Sequence, residues 1–129
     1  MKILVTAASR HDRTGDIARS IGRALQSRGF AATVARPEDV RSVSRYDAVL
    51  VGSGVHKGHW MRDAHKLVRR SAQELASRPV WLFSNRAVTD ATDIALVTHA
   101  RGYHVFAGSD DVNAWVDEIA EQLGANPAA

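Results

Sequence analysis

Hydrophobic residues along this chain form two alternating patterns: short continuous runs, and longer stretches in which every third or fourth residue is apolar. The first run, KILVTAA at residues 2–8, is rich in β-forming residues and typical of a strand covered on both faces. A helical pattern follows, in which Ile17, Ile21 and Leu25 share one face. The alternation continues along the chain, which predicts βαβ units and a parallel sheet between two layers of helices.

Five apolar runs predict strands, and the stretches between them predict the connections. Thr14 is the expected cap of the first helix, and Gly29 is its expected terminating glycine. Pro37 opens a brief turn or helical segment, and a fourth helix is expected over about residues 89–101, closed by Gly102. The predicted strands are KILVTAA, FAATVAR, YDAVLVGS, PVWLFSN and YHVFAG.

Two more helices are indicated by apolar stripes at helical spacing. The clearer one follows the third strand and is expected to be continuous, and the other ends at Gly124. Trp81 and Trp115 are interpreted as core residues. The stripes consist of Trp60, Ala64, Leu67, Val68, Ala72 and Leu75 in the first of these helices, and of Val112, Trp115, Val116, Ile119 and Leu123 in the second.

The length of 129 residues suits one domain with a substantial core, which we expect over residues 1–124, with a loose tail at 125–129. Apolar runs such as DAVLVGSGV are far too short to span a bilayer. Charged residues from Asp12 onward follow the first run too closely for a secretory leader. The chain has no cysteine, which excludes disulfides, thiolate metal sites and cysteine nucleophiles, and which favours a cytoplasmic location.

The formal charge of +3, from 17 basic and 14 acidic residues, predicts weak attraction to anions. It is much less than nucleic-acid binding needs, so no nucleic-acid partner is expected. Basic residues on the third helix are interpreted as a solvated surface, with docking of an acidic partner or a nucleic acid as the alternatives; they are Arg62, Lys66, Arg69 and Arg70. The spacing of His56, His59 and His65 is too irregular to predict a metal site.

Ligands of a doubly wound sheet bind beyond the carboxyl ends of its strands, near the point where strand order reverses. The loop after the first strand has hydroxyls at both ends, Ser9 and Thr14, and precedes a helix, which suits a phosphate. Arg10 and Arg13 can add charge-assisted hydrogen bonds, whereas Asp12 repels an anion. The alternative is an ordinary turn in which Thr14 or Asp12 caps the helix.

Two other loops are expected at the same edge. After the third strand come Ser53, Gly54, Val55 and His56, and then Trp60; flat side chains there can stack on a planar ring, with a surface histidine as the alternative role of His56. After the fourth strand, the polar residues Ser84, Asn85 and Arg86 can hydrogen-bond the edge of a heterocycle. The three loops together indicate a mononucleotide site.

Several other chemistries are excluded by the residues at these positions. A phospho-receiver domain needs acidic residues after the first strand and an aspartate at the end of the third, where this chain has TAAS and VGSG. The sequence contains neither a G-x-S-x-G nucleophile elbow nor a Walker-type loop, and GSGVHKG lacks the spacing of a dinucleotide fingerprint.

At these residues the chain resembles the flavodoxin-like proteins, in particular the bacterial branch that includes menaquinone-dependent protoporphyrinogen dehydrogenases. The resemblance spans about residues 2–85 and, more loosely, HVFAG; it is carried by KILVTAASRHDRTGDIA, YDAVLVGSGVHKGHWMRDAHKLVRR and RPVWLFSN. It implies a three-layer, doubly wound α/β fold with a five-stranded parallel sheet in the order 2-1-3-4-5. It also implies noncovalently bound FMN and electron transfer, by an electron carrier or a small flavin-dependent oxidoreductase, without a catalytic side chain.

The family's phosphate loop, Ser/Thr-x-x-Gly-x-Thr, is matched by Ser9 and Thr14, with Asp12 at the glycine. The resemblance implies that this loop holds the phosphate, that residues 54–56 border the ring, and that residues 84–86 meet its edge. The implied partner is a redox protein or a small-molecule electron acceptor. The alternative is a flavodoxin-fold binding or regulatory module that has lost or weakened flavin binding, motivated by Asp12, by His56 where relatives often carry tyrosine, and by a short C-terminal part.

Overall fold

The structure is a computed structural model that describes residues 1–10, 13–88, 91–107 and 111–124. The strands of this part are β1 (Lys2–Ala8), β2 (Ala31–Ala35), β3 (Ala48–Ser53), β4 (Val55–His56), β5 (His59–Trp60), β6 (Val80–Ser84) and β7 (Gly102–Val105). Its helices are α1 (Arg13–Ser27), α2 (Arg62–Arg70), α3 (Ala72–Ala76), α4 (Ala91–Thr98) and α5 (Val112–Gln122), and Pro37–Asp39 forms a 3₁₀ turn.

The five longer strands form a parallel sheet in the order β2-β1-β3-β6-β7, which confirms the predicted order 2-1-3-4-5. The order reverses between β1 and β3, so the switch point lies at their carboxyl ends. Ala8, Ser53, Ser84 and Val105 are register partners across the four adjacent strands from β1 to β7. The loops that follow β1, β3 and β6 therefore leave the sheet at one level.

Each face of the sheet is covered by its own apolar cluster. On one face, α1 and α5 pack around a group of aromatic rings that includes Phe83 and Trp115. On the other face, α2, α3 and α4 supply Leu67, Leu75 and Ile94. Trp81 and Trp115 are both buried, which confirms their interpretation as core residues.

Two helix ends show why one boundary was predicted correctly and another was wrong. After α1, Gly29 has φ 89°, and the Phe30 N–H donates to the Leu25 carbonyl at 3.2 Å, the bond of a Schellman cap. The same cap closes α4 at His99, with φ 53°, so Gly102 does not close that helix and lies in β7 instead. A histidine is an uncommon residue in this conformation, which explains the misplaced boundary.

The helix predicted from Trp60 to Leu75 begins later, at Arg62, and is divided into two helices. Trp60 lies in the β4–β5 hairpin, and Ser71 separates α2 from α3. The hairpin turns at Lys57 and Gly58, with φ values of 52° and 81°, as a two-residue loop of the primed type requires.

Smaller corrections concern the element ends near the site. The first helix begins at Arg13, so Thr14 lies within its first turn and is not its cap; Asp12, the alternative cap predicted from the sequence, lies outside the described residues. The fifth strand of the sheet ends at Val105 rather than continuing through Phe106. Thr89 and the predicted tail at 125–129 also lie outside the described residues. Within the described part, no helix is both long and apolar enough to cross a bilayer.

Candidate functional site

A pocket of about 900 Å³ lies where the three loops leave the carboxyl edge of the sheet. All three loops contribute to its wall, together with the first turns of α1 and α2. Its lining residues are Ser9, Arg10, Arg13, Thr14, Gly54, Val55, His56, His59, Trp60, Met61, Arg62, Asn85 and Arg86. The pocket thus occupies the switch-point position at which open α/β sheets bind ligands.

The first loop gives the pocket the amino-terminal end of α1. Thr14 is only 1% exposed and still lines the pocket, as do Ser9 and the exposed Arg10 and Arg13. A helix amino terminus carries unpaired backbone N–H groups and a partial positive charge, so this end of the pocket favours an anion.

Gly54 lets the first two loops lie close together, because it has no side chain to separate them. Its N–H donates to the Ala8 carbonyl at 2.7 Å, which ties the end of β3 to the end of β1. A methyl group at Gly54 would lie 3.4 Å from Thr14 Oγ1 and 3.6 Å from Met61 Sδ. A larger side chain there would therefore crowd the Thr14 hydroxyl and reduce the space beside it.

The second loop is a hairpin whose base is tied by Ser53. The Ser53 hydroxyl donates to the Gly54 carbonyl at 2.6 Å and accepts the Met61 N–H at 2.9 Å. These two bonds close the hairpin and set the start of α2. Ser53 itself is completely buried, so it lies behind the wall that it shapes rather than in it.

The hairpin brings Trp60, already named as a possible stacking side chain, to the pocket, together with three residues that the sequence did not indicate as binding residues: His59, Met61 and Arg62. In the sequence, the hairpin was indicated by Gly58, which follows Lys57 and lies between two short alternating segments; this is the pattern of a two-residue hairpin. Lysine is not a preferred residue at the first turn position, so the signal was weak.

Trp60 is the largest side chain in the wall, and its ring is fixed by two neighbours. It is 4% exposed and stacks on Tyr103, with ring centroids 6.5 Å apart and an interplanar angle of 27°. His65 packs on it at a tilt of 55°. Within the described part of the chain, the indole Nε1 is buried without a hydrogen-bond partner. Such a donor is costly to bury unless a ligand or water accepts from it.

The third loop is tied by Ser84 in the way that the second is tied by Ser53. The Ser84 hydroxyl donates to the Arg86 carbonyl at 2.5 Å, and it therefore accepts from the Tyr103 hydroxyl at 2.5 Å. Ser84 is completely buried behind the wall. Asn85 lines the pocket, and its Oδ1 is buried with no partner among the described residues. Trp60 and Asn85 are thus two lining residues that each hold a buried polar atom without a partner among the described residues.

Four arginines make the lining strongly cationic: Arg10, Arg13, Arg62 and Arg86. The described lining residues include no carboxylate, and none of the four guanidinium groups is in an ion pair with another described residue. Asp12, the adverse residue of the predicted phosphate loop, lies outside the described residues. The described wall thus favours an anionic ligand.

Most of the residues singled out in the sequence come together in this wall. Ser9, Arg10, Arg13, Thr14, Gly54, Val55, His56, Asn85 and Arg86 line the pocket. Ser53 and Ser84 do not, because both hydroxyls are turned to backbone groups of the loops. They position the site instead of lining it.

Comparison with known proteins places this chain in a family. Residues 4–109 match the flavodoxin domain, and the chain belongs to that family. It is a flavodoxin-like flavin redox protein, for which FMN is the expected cofactor and a redox partner is implied. No curated protein matches the sequence significantly.

Solved structures with the same fold include flavodoxins and part of a larger oxidoreductase. An archaeal flavodoxin superposes with a TM-score of 0.76 at 16% identity, over 96% of this chain and 99% of its own. A point mutant of the flavodoxin from Pseudomonas aeruginosa gives 0.75 at 16%, over 97% and 100%. Rubredoxin oxygen:oxidoreductase from Desulfovibrio gigas gives 0.80 at 15%, over 99% of this chain but only 37% of its own. At these identities the likeness shows the fold.

Proposed function

We propose that the pocket holds FMN noncovalently and that the chain exchanges electrons through it with a redox protein or a small-molecule acceptor. One observation carries the proposal: a single wall combines a cationic helix terminus with two residues, Trp60 and Asn85, that each hold a buried polar atom without a partner among the described residues. The first feature suits a phosphate, and the second suits the polar edge of a flat heterocycle. The proposal includes a cytoplasmic location, with which the absence of cysteine is compatible.

The phosphate end consists of Ser9, Thr14, Arg10 and Arg13. Hydroxyls and backbone N–H groups there can donate to phosphate oxygens, and the two guanidinium groups add charge-assisted bonds. A phosphate at this position would also be stabilised by the partial positive charge at the amino terminus of α1.

The ring end consists of the hairpin and the third loop. Gly54, Val55 and His56 border the space, and the indole N–H of Trp60 and the Oδ1 of Asn85, which have no partner among the described residues, would supply a donor and an acceptor. Bound FMN supplies one- and two-electron transfer, and the protein supplies its placement, the exclusion of water and the local charge. The predicted membership of the menaquinone-dependent branch stays a prediction, as does the choice between an electron carrier and a small oxidoreductase.

The phosphate assignment is tested by titrating the flavin-free protein with FMN and, separately, with riboflavin, while following flavin fluorescence. We expect saturable quenching, with FMN bound more tightly. Replacing Arg10 and Arg13 together by Gln should weaken FMN at least about tenfold and leave riboflavin unchanged, since a bond to a charged group contributes about 1.5–3 kcal/mol. Arg23 and Arg41, exposed and outside the lining, provide the control double Gln variant. Absence of saturable quenching would refute the proposal.

The ring assignment is tested with riboflavin alone, which lacks the phosphate. Asn85→Ala and Trp60→Phe should each weaken riboflavin by roughly fivefold to tenfold, the range expected for one lost hydrogen bond. Asn113→Ala, at an exposed position of α5, is the control for Asn85. Equal affinities for the variants and the control would place the ring elsewhere.

A further inference from the structure

The exposed side of α2 carries a row of cations directly opposite its buried side. Arg62, Lys66 and Arg69 are exposed and lie at i, i+4 and i+7, within an arc of about 60°. The buried residues of this helix are Ala64, Leu67 and Val68. We call Arg62, Lys66 and Arg69 the basic stripe.

Other arginines nearby have structural bonds, and the basic stripe does not. Arg70 donates to the Pro37 carbonyl at 2.8 Å and the Val40 carbonyl at 2.6 Å, so it fastens the 3₁₀ turn to α2. Arg78 likewise holds the carbonyls of Val43 and Tyr46. Within the described part, no hydrogen bond or ion pair engages the side chains of the basic stripe. Their charges are therefore available to a partner.

The basic stripe begins at the mouth of the pocket, because Arg62 belongs to both. Exposed Lys57 lies at the hairpin turn, next in the chain to the lining residue His56, and Arg86 is a further cation of the lining. The acidic residues nearest to the stripe along the chain and on the adjoining 3₁₀ turn are the half-buried Asp63 and the exposed Glu38 and Asp39, and Asp39 is paired with Arg36. The described surface between the pocket and the end of α2 is thus predominantly positive.

We propose that the basic stripe and the mouth of the pocket form the docking surface for an acidic redox protein. The proposal rests on the function proposed above, since a protein seated there lies next to the pocket through which electrons would pass. Complementary charge guides such encounters and raises the association rate, more strongly at low salt.

A protein fits this surface better than a nucleic acid does. The stripe is only about 10 Å long, from seven residues of helical rise. The whole chain carries just +3, and Trp60, the one Trp, Tyr or Phe among the described lining residues, is buried and not available for stacking on a base. A short positive patch beside a pocket matches the localised carboxylates of a small electron-transfer protein.

Docking is tested by titrating ¹⁵N-labelled protein, with and without FMN, with an acidic plant-type [2Fe–2S] ferredoxin and, separately, with the basic protein cytochrome c. We expect the ferredoxin to shift amide signals at residues 57–69, and cytochrome c not to. Lys66→Glu should weaken the ferredoxin complex by roughly fivefold to tenfold at low salt. Arg23→Glu makes the same charge change on α1, across the sheet, and should have little effect.

Three outcomes would overturn the proposal: equal effects of Lys66→Glu and Arg23→Glu, shifts at the stripe with cytochrome c alone, or displacement of the ferredoxin by an equimolar 20-base DNA strand. The flavin-free titration separates this proposal from the function above. Ferredoxin docking without FMN binding would refute only the function, and FMN binding without docking would refute only the surface.

Discussion

Gly52 lies in the middle of the sheet beside Phe83, whose ring fills the space that a side chain at Gly52 would need. The two residues are register partners on β3 and β6. A methyl group at Gly52 would lie 2.3 Å from Cε2, 2.4 Å from Cζ and 2.6 Å from Cδ2 of Phe83. Carbon atoms in contact are ordinarily about 3.5–4.0 Å apart, so Gly52→Ala requires the ring to move by roughly 1 Å.

The ring has little room to move. Phe83 is fully buried and makes edge contacts with Phe106 and Trp115, with centroids 6.2 Å and 5.9 Å away. Overpacking typically costs about 1–3 kcal/mol, and we expect Gly52→Ala to lower the free energy of unfolding by an amount near the upper end of that range. For a domain of this size the loss corresponds to a fall in Tm of about 10 °C, which urea and thermal unfolding will measure.

Two variants separate this steric effect from a general effect of alanine. At Gly15, in α1, a methyl group would meet only the end of the Arg19 side chain at 3.5 Å and Ser9 Cβ at 3.8 Å. Gly15→Ala should therefore stabilise the protein by about 0.5–1 kcal/mol. Phe83→Leu should relieve the clash, giving a coupling of about 1–2 kcal/mol with Gly52→Ala. A Gly52→Ala protein as stable as the parent, or zero coupling, would refute the reasoning.

Three further predictions concern the loops of the pocket. Ser53→Ala leaves the Met61 N–H without its acceptor, so we expect a loss of about 1–2 kcal/mol in urea unfolding and weaker FMN binding; unchanged values for both would contradict the anchoring role. Gly58→Ala, at φ 81°, should cost about 1 kcal/mol, and equal stability would mean that the hairpin turn differs from the one described. Tyr103→Phe removes the hydroxyl that donates to Ser84 and should weaken riboflavin binding by about threefold to tenfold. Unchanged riboflavin affinity would show that Ser84 holds the third loop without this bond.

The sheet was predictable because each central strand is a continuous apolar run bounded by polar turns. KILVTAA coincides with β1, and the order of strands follows from the family resemblance. The errors fell where two local signals competed. Trp60 continues the helical spacing of Ala64 and Leu67, and this periodicity concealed a hairpin whose turn begins with lysine. Gly102 was the expected helix stop, but His99 adopts the left-handed conformation instead.

The wall of the pocket could be predicted only in part. Loops that follow parallel strands necessarily meet at one edge, so the candidate residues of all three loops were found from their order alone. The roles of Ser53 and Ser84 depend on distances to backbone groups such as the Met61 N–H, and no local pattern encodes those distances. Similarly, spacing showed the cations of α2, but only their bonds distinguish Arg70 from Lys66.

Within their own loops, the hydroxyls of Ser53 and Ser84 bond main-chain atoms, namely the Gly54 and Arg86 carbonyls and the Met61 N–H; the Tyr103 hydroxyl, which also bonds Ser84, belongs to β7. Every amino acid has a carbonyl group, and all except proline have an N–H. The two anchors are therefore indifferent to which side chains the loops carry. Substitutions at outward positions such as His56 can alter what the protein recognises while the loops keep their shape, so this scaffold suits both natural divergence and laboratory redesign of specificity, one loop at a time.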